Sequence, residues 1–592
     1  MNSNSSYLNS SLYAAGGLLG VLSFFIFSLG HLKVLSPVPI GLGLIVFLSF
    51  FVWHFRAAPI LFLNYIKSLS KTELLIFAGI VLVIFSAFLL ALCPPSVRDE
   101  LILHLALPKL FLQNNSILKI PSLIGFSLTP MNIDLLYLVP LAFKNDIIPR
   151  VLHLFFSVLT SLVLYSYIAG KYERVYALLG ALFFLSTPMV FNLSTMAYTD
   201  LALTFFTSLA FFGVLRWAEA GCVDKKMLIY SALAIGFALG CKYNVLISFM
   251  LLTFFIIYIY STETKDQLGA IKFGALFFFI SLLVFSPWLI RNFLWTGSPL
   301  YPVINFPASS PETSNLFVGG AISPLLKRSL LYGESFTSIL LVPLRLFFGG
   351  ADNSMRYFDA VLNPFFLFFI PLAFLKNKFW ELRYVSIFVF LVFFLSFFTV
   401  DLVTRYLMPV FPFVILIAIL GLKNSLESKK LRIPAGIILV LFLLFNANYV
   451  LGQHKTYKPV EYLLSGESRV SYLLRILPDY EVTVFANATL PQDARVLFLF
   501  TGERGYYWKR DHIYAMREGG DLISYVRGSS TAEELRGKFK KKGVTHLFLH
   551  ADLFNKFVID NFKGVEYNLL AEFTGTHLKH LHSANDFALY EL

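Results

Sequence analysis

About thirteen apolar runs, each roughly 15 to 21 residues long, occupy the first three quarters of the chain. They fall at about 12–30, 37–54, 74–93, 147–169, 175–192, 201–217, 228–242, 244–260, 270–290, 359–375, 384–400, 406–421 and 434–451. A run of this length with almost no charge cannot stay in water. In hydrocarbon its backbone groups must bond within the segment, which selects the α-helix. Only 14% of the 592 residues are charged and the mean hydropathy is +0.72. A soluble domain would carry roughly 25% charged residues. The expected fold class is therefore an α-helical polytopic membrane protein. The shortest run, 228–242, reads as a half-span that forms a hairpin with the next.

The charges orient the runs. With the N-terminus in the cytoplasm, the inner connections hold Arg56, Lys67 and Lys71; Lys171 and Arg174; Arg216, Lys225 and Lys226; Lys265; Lys376, Lys378 and Arg383; and Lys423, Lys429, Lys430 and Arg432. The short outer connections hold Lys33, Lys242 and Arg405. About sixteen cations stand against three, a strong positive-inside bias. The net charge of +13 belongs to these loops, so no nucleic-acid partner is expected. The N-terminal MNSNSSYLNS has no basic n-region and no cleavage site, so the first run is expected to be kept as a span. The loops 94–146 and 291–358 then lie outside, as does the region 452–592. The expected setting is a bacterial inner membrane, with the C-terminal region periplasmic or extracellular.

Two domains are expected, a membrane domain over 1–451 and a small extracytoplasmic α/β domain over 452–592. In the second, RVLFLF (495–500) and THLFLH (545–550) read as buried strands. TAEELRGKFKKKG (531–543) reads as a helix capped by Thr531, acidic in its first turn and ended by Gly543. The final LKHLHSANDFALYEL reads as a hairpin. Cys93, Cys222 and Cys241 are scattered, with no disulfide framework and no metal spacing.

Ionisable residues at a membrane boundary are costly unless solvated or paired, and so mark candidate function. PPSVRDELILHLALPKLFLQNN (94–115) carries Arg98, Asp99, Glu100 and His104 directly after a run. Asp134 lies in TPMNIDLLYLVP and Asp200 in MAYTDLALTFF. Lys242, Arg291 and Arg405 supply cations on the same face. A carboxylate can take a proton from a hydroxyl and make it a nucleophile. Cations at headgroup depth can hold a phosphate and stabilise it as it leaves. Together they suit group transfer from a lipid-linked phosphate.

Plainer roles compete with these. Glu100 could be a solvated neighbour of Asp99, and His104 an interfacial residue. Asp200 or Thr199 could merely cap a span, and Arg405 could pair with Asp401. Lys109 and Lys119 read as headgroup contacts, and Arg98 has no assigned role. Leucines at 101, 103, 105, 107 and 110 suggest a short interfacial helix. There is no Gly-rich phosphate loop, Walker motif or HExxH. A transporter or flippase for a lipid-linked substrate is the main alternative, though midplane charges and an internal repeat, its usual signs, are missing. A scaffold acting through its outer domain is a third.

PPSVRDELILHLALPKLFLQNNSIL resembles the first outer loop of the C-type glycosyltransferase superfamily. Within it the likeness is to bacterial relatives of the protein O-mannosyltransferases and of the lipid A aminoarabinose transferases. Asp99 stands where that family keeps its catalytic aspartate, Glu100 at its second acidic position and His104 at the histidine of the bacterial version. TPMNIDLLY resembles the family's proline-and-acid segment, with Asp134 as the acid. AYTDLALTFF resembles its second aspartate motif, at Asp200, and GFALGCKYNVL its small-residue turn with a lysine, at Lys242. TGSPLYP (296–302) and TRYLMPVFP (404–412) are also similar. The resemblance covers about residues 74–421, and departs where Leu103 replaces a frequent tyrosine.

It implies an inverting transfer from a polyprenyl-phosphate sugar to a hydroxyl of a glycan, lipid or protein, within a shell of membrane lipids. Asp99 would be the base, and Asp200, also catalytic, would orient the acceptor or the base. Lys242, Arg291 and Arg405 would meet the phosphate, while Glu100, His104 and Asp134 would contact substrate or orient it. The resemblance fixes no cofactor and leaves a divalent metal open. Some members use a divalent metal, for which Asp99 and Asp200 are two potential ligands.

Overall fold

The computed structural model describes residues 3–120, 123–303, 324–376, 380–399, 402–514 and 520–592. The chain divides into two compact units. One comprises Met1–Leu92, Asn114–Ile117 and Leu128–Pro459; the other comprises Cys93–Gln113, Leu118–Ser127 and Val460–Leu592. This differs from a single cut after 451. The last membrane helix, Arg432–Tyr457, continues past that point and ends at Lys458, whose backbone is left-handed, and Pro459. The stretch 93–113 also belongs to the second unit, because Cys93 and Leu101 pack in one cluster with Tyr472, Leu473 and Leu477.

In the first unit each of the apolar runs contains a helix among its described residues. Among the described residues, ten helices are long and apolar enough to cross a membrane. The expected thirteen spans shrink to ten because three runs make shorter helices: Arg174–Ser186, Lys225–Leu239 and Phe366–Leu372. The break in the first of these is local chemistry. Thr187 precedes Pro188 and is forced out of helical geometry, to ψ 129°.

The helix Asp200–Glu219 is the axis of this unit, its apolar window wholly buried. It is apolar on all sides, through Leu201, Phe205, Phe206, Phe211 and Phe212, which is the pattern of a helix surrounded by others. By contrast Pro37–Phe55 is almost entirely unburied and presents its apolar surface outward.

At the Glu219 end, connections far apart in sequence meet. Lys171 pairs with Glu219 (2.5 Å) and Glu381 (3.3 Å), and Arg174 with Glu73 (3.3 Å). Lys423 pairs with Glu173 (3.3 Å) and Glu427 (2.6 Å), and Lys376 with Glu427 (2.7 Å). Lys378 lies outside the described residues. Asp200 opens the helix that Glu219 closes, so this network and Asp200 stand at opposite ends of the unit.

The second unit is built on a five-stranded sheet of β1 (Arg495–Leu499), β2 (Asp511–Tyr514), β3 (His546–His550), β4 (Lys579–Ala584) and β5 (Phe587–Glu591). Its order is β2-β1-β3-β5-β4. β1 runs parallel to β2 and β3, and β5 antiparallel to β3 and β4. Leu497, Leu499, Leu547 and Leu549 share a core with Leu535 and Phe539 of the helix Ala532–Lys541. That helix begins as expected, with Thr531 accepting the Glu534 N–H (3.2 Å), and ends before Gly543 at φ +75°. The two buried strands and the terminal hairpin lie where the sequence placed them. β2 and the helices Ala551–Asn561 and Val565–His577 had no separate signal.

Candidate active site

Asp200 is the first residue of its helix. The partial positive charge of a helix N-terminus favours a carboxylate there. Thr199 occupies the cap position without a side-chain capping bond, so neither residue is a simple cap. Asp200 Oδ1 lies 3.2 Å from Lys242 Nζ. The Asp200 side chain is 0% exposed and that of Lys242 30%, so the lysine is the partner that reaches solvent.

Two other parts of the chain hold this pair in register. Lys242 sits in the turn after the helix Lys225–Leu239. Gly240, in that turn, donates no side chain and needs none: an added Cβ would come within 2.0 Å of Asn132 Nδ2. Asn132 N–H bonds Gly240 O (2.8 Å), and Asn132 begins the helix Asn132–Ala142, with Asp134 buried in its first turn. The acidic segment and the lysine turn are thus adjacent.

The turn before Asp200 is clamped by residues that sequence reasoning missed. Tyr137 donates its hydroxyl proton to Tyr198 O. Arg150 Nε donates to Thr195 O (2.7 Å). His153 Nε2 accepts the Leu201 N–H (3.0 Å), and its Nδ1 faces Leu193 O (2.8 Å). A backbone N–H can only donate, so the ring proton belongs on Nδ1. A signal was present: Arg150 and His153 are ionisable, three residues apart on one face of an apolar helix.

Arg405 lies in the 3-10 helix Thr404–Val410, and its Nε is 3.3 Å from Asp359 Oδ2. Asp401, the partner expected for it, lies outside the described residues. The Arg405 guanidinium stacks over Tyr198 (5.1 Å) and Tyr406 (5.6 Å), and Lys242 Nζ lies 4.8 Å from the Tyr406 ring centre. Tyr406 therefore faces both cations and joins the Asp200–Lys242 pair to the Arg405–Asp359 pair.

Arg291 braces backbone close to the Asp134 segment. It is buried between Trp288 (4.5 Å) and Trp295 (5.2 Å). Its Nη2 donates to Leu128 O (2.7 Å) and Thr129 O (3.2 Å), and Nε donates to Asn292 Oδ1 (3.0 Å). These bonds anchor the backbone leading into the Asp134 segment.

The remaining candidates lie in the second unit. Glu100 is fully buried, and its Oε2 accepts the N–H groups of Ser96 and Val97 (3.2 Å each). It closes that turn and is not a solvated neighbour of Asp99. Asp99 is half-buried and directly precedes a π-helical turn, Glu100–His104, with His104 half-buried at its end. Such turns are frequent at functional sites. The leucine-rich part that follows, Ala106–Gln113, buries Leu107 within the protein and is not a purely interfacial helix. Arg98, without a role in the sequence, donates from Nε to Gly502 O (3.4 Å). Lys109 is not a headgroup contact, since its Nζ donates to Tyr506 O (2.6 Å) and Trp508 O (3.0 Å). Burial, then the charge of Lys509, lower it to about 8. Among the described residues no group of three or more His, Cys, Asp or Glu side chains gathers that could hold a metal ion.

Comparison with known proteins adds to this geometry. Residues 140–290 match the family model of the dolichyl-phosphate-mannose-protein mannosyltransferases, a segment that contains both Asp200 and Lys242. No curated protein sequence matches the chain. The fold is similar to that of ArnT from Cupriavidus metallidurans. The apo crystal structure aligns at a TM-score of 0.52 and 12% identity, over 86% of this chain and 97% of ArnT. The structure of ArnT bound to undecaprenyl phosphate aligns at 0.51 and 13%, over 87% and 97%.

Proposed function

We propose that this chain belongs to the C-type glycosyltransferase superfamily and is an integral-membrane enzyme that moves a sugar from a polyprenyl-phosphate donor to an acceptor hydroxyl on the outer face of the membrane. One observation carries the reading: Asp200 and Lys242, an ion pair at the N-terminus of the most buried membrane helix, lie inside the segment that matches the mannosyltransferases. The lipid carrier is chosen because the similar ArnT structure holds undecaprenyl phosphate.

The chemistry follows from charge. The acceptor oxygen attacks the anomeric carbon from the face opposite the phosphate, which inverts that centre. Its proton passes to a carboxylate base. The bond from the anomeric carbon to the phosphate oxygen breaks, and negative charge grows on the departing lipid phosphate. Lys242 and Arg405 are the cations suited to stabilise it. The buried Asp200 holds Lys242 in place, and Tyr406 sets the spacing of both cations. Arg291 organises the Asp134 segment through the Leu128 and Thr129 carbonyls.

The test is transfer itself. Purified full-length protein is incubated with undecaprenyl-phosphate sugars labelled in the sugar, with glycan, lipid A-type and peptide acceptors. Label should leave the lipid only when wild-type protein is present. Failure with every donor, alongside uptake of the lipid into proteoliposomes, would favour a transporter instead.

A further inference from the structure

The turn that carries Asp359 is held in a conformation its residues do not prefer. Phe358 and Asp359 are both left-handed, at φ 65° and 49°. A bulky residue with positive φ is an outlier, and such a backbone persists only where its surroundings over-determine it. Asp359 can occupy the region because short polar side chains tolerate it.

The surroundings are built for this. Glu334 receives two arginine forks: Arg328 through Nε (2.8 Å) and Nη2 (2.6 Å), and Arg345 through Nη1 (3.1 Å) and Nη2 (2.9 Å). Burial raises the Glu334 carboxyl, but the hydrogen bonds and charges of Arg328 and Arg345 outweigh this and hold it at about 2. Both guanidiniums lie over the ring of buried Phe358, at 4.5 and 5.4 Å. Arg328 Nη2 also donates to Arg356 O (2.7 Å). The turn is then stitched to the second cation's segment. Thr404 N–H bonds Phe358 O (2.9 Å), and the next residue, Arg405, pairs with Asp359. Gly350 completes the packing, since an added Cβ would fall 2.2 Å from Ala360 O.

We propose that Asp359 is a positioning residue for the phosphate end of the site. It fixes the Arg405 guanidinium against Tyr198 and Tyr406, and the Arg328–Glu334–Arg345 brace holds the strained turn that presents it. Such a role deepens the proposed function and rests on Arg405 meeting a lipid phosphate. Sequence spacing gave no hint of it, because Asp359 and Arg405 are separated by a complete membrane helix, Trp380–Thr399.

Asp359→Asn tests the role cleanly, because asparagine accepts the same left-handed backbone and removes only the charge. Binding of undecaprenyl phosphate to the purified full-length protein is measured beside the donor KM and kcat. Asp359→Asn should weaken binding and raise the donor KM by roughly tenfold, the lower end of what losing a group that orients a ligand-binding residue costs, with an unchanged thermal midpoint. Arg405→Gln should weaken binding at least as much. The double variant should be no worse than Arg405→Gln alone, because Asp359 acts through Arg405. Glu334→Gln should show a smaller KM rise of the same kind. Wild-type affinity in Asp359→Asn, or additive losses in the double variant, would overturn the positioning role alone. Failure of the wild type to bind undecaprenyl phosphate would overturn the proposed function and this role with it.

Discussion

Lys242 Nζ stands 3.2 Å from Asp200 Oδ1, with the carboxylate sealed from solvent and the lysine partly open to it. The asymmetry predicts unequal mutants. Lys242→Met leaves a buried charge without its cation, whereas Asp200→Asn leaves a neutral amide beside a lysine that can turn to water. Removing one partner of a fully buried pair costs about 3–5 kcal/mol. With one partner part-exposed, Lys242→Met should cost about 1–3 kcal/mol and Asp200→Asn less. Thermal unfolding in detergent would read the difference, and equal midpoints would contradict it.

Gly240→Ala should disturb the site without touching a charge. Its Cβ would meet the Asn132 amide at 2.0 Å, so the lysine turn or the Asp134 helix must move. A lowered thermal midpoint is expected, with Asn132→Ala in the same chain recovering part of it. The non-additivity marks the contact.

His153→Phe should destabilise the Asp200 turn. Leu201 N–H loses its imidazole acceptor, while Leu193 O loses one of its two donors and keeps the Met196 N–H (3.3 Å). Each orphaned buried polar group costs about 1–3 kcal/mol. Hydrogen exchange at Leu201 and Ala202 should accelerate before that of the helix end near Glu219. Uniform acceleration along the helix would contradict a local clamp.

Lys109 gives the second unit a pH signature. Its ammonium is lowered from the ordinary 10.5 to about 8. Between those values the unfolded chain binds more protons than the folded one, so stability should rise with pH from about 8 to 10.5. Below about 8 both states are protonated and this contribution is flat. Lys109→Met should remove that slope from the unfolding of residues 460–592, followed by hydrogen exchange in the full chain.

How much of this was legible in the sequence depends on the range of the interaction. Apolar runs and the Thr531 cap are local, and each left a trace within one helix. Asp200 and Lys242 were legible as residues of one face, because charge counting assigns whole connections to a side. Their direct pairing was not. The bonds of Arg291 to the carbonyls of 128 and 129 were not legible, because they join positions 163 and 162 residues apart. Glu100 was misread for the opposite reason: its partners, Ser96 and Val97, are near, but a backbone turn closed by a carboxylate has no periodic pattern. The membership of 93–113 in the C-terminal unit was illegible because the apolar residues that receive Leu101 lie beyond residue 470.

The most direct test of the central claim is sugar transfer by matched variants. Wild type, Asp200→Asn and Lys242→Met are compared under single-turnover conditions with a labelled undecaprenyl-phosphate sugar. Losing a group that stabilises developing charge costs about 10²–10³ in rate, so both variants should be slowed by that order while remaining folded. Wild-type transfer rates in folded Asp200→Asn and Lys242→Met would contradict the site.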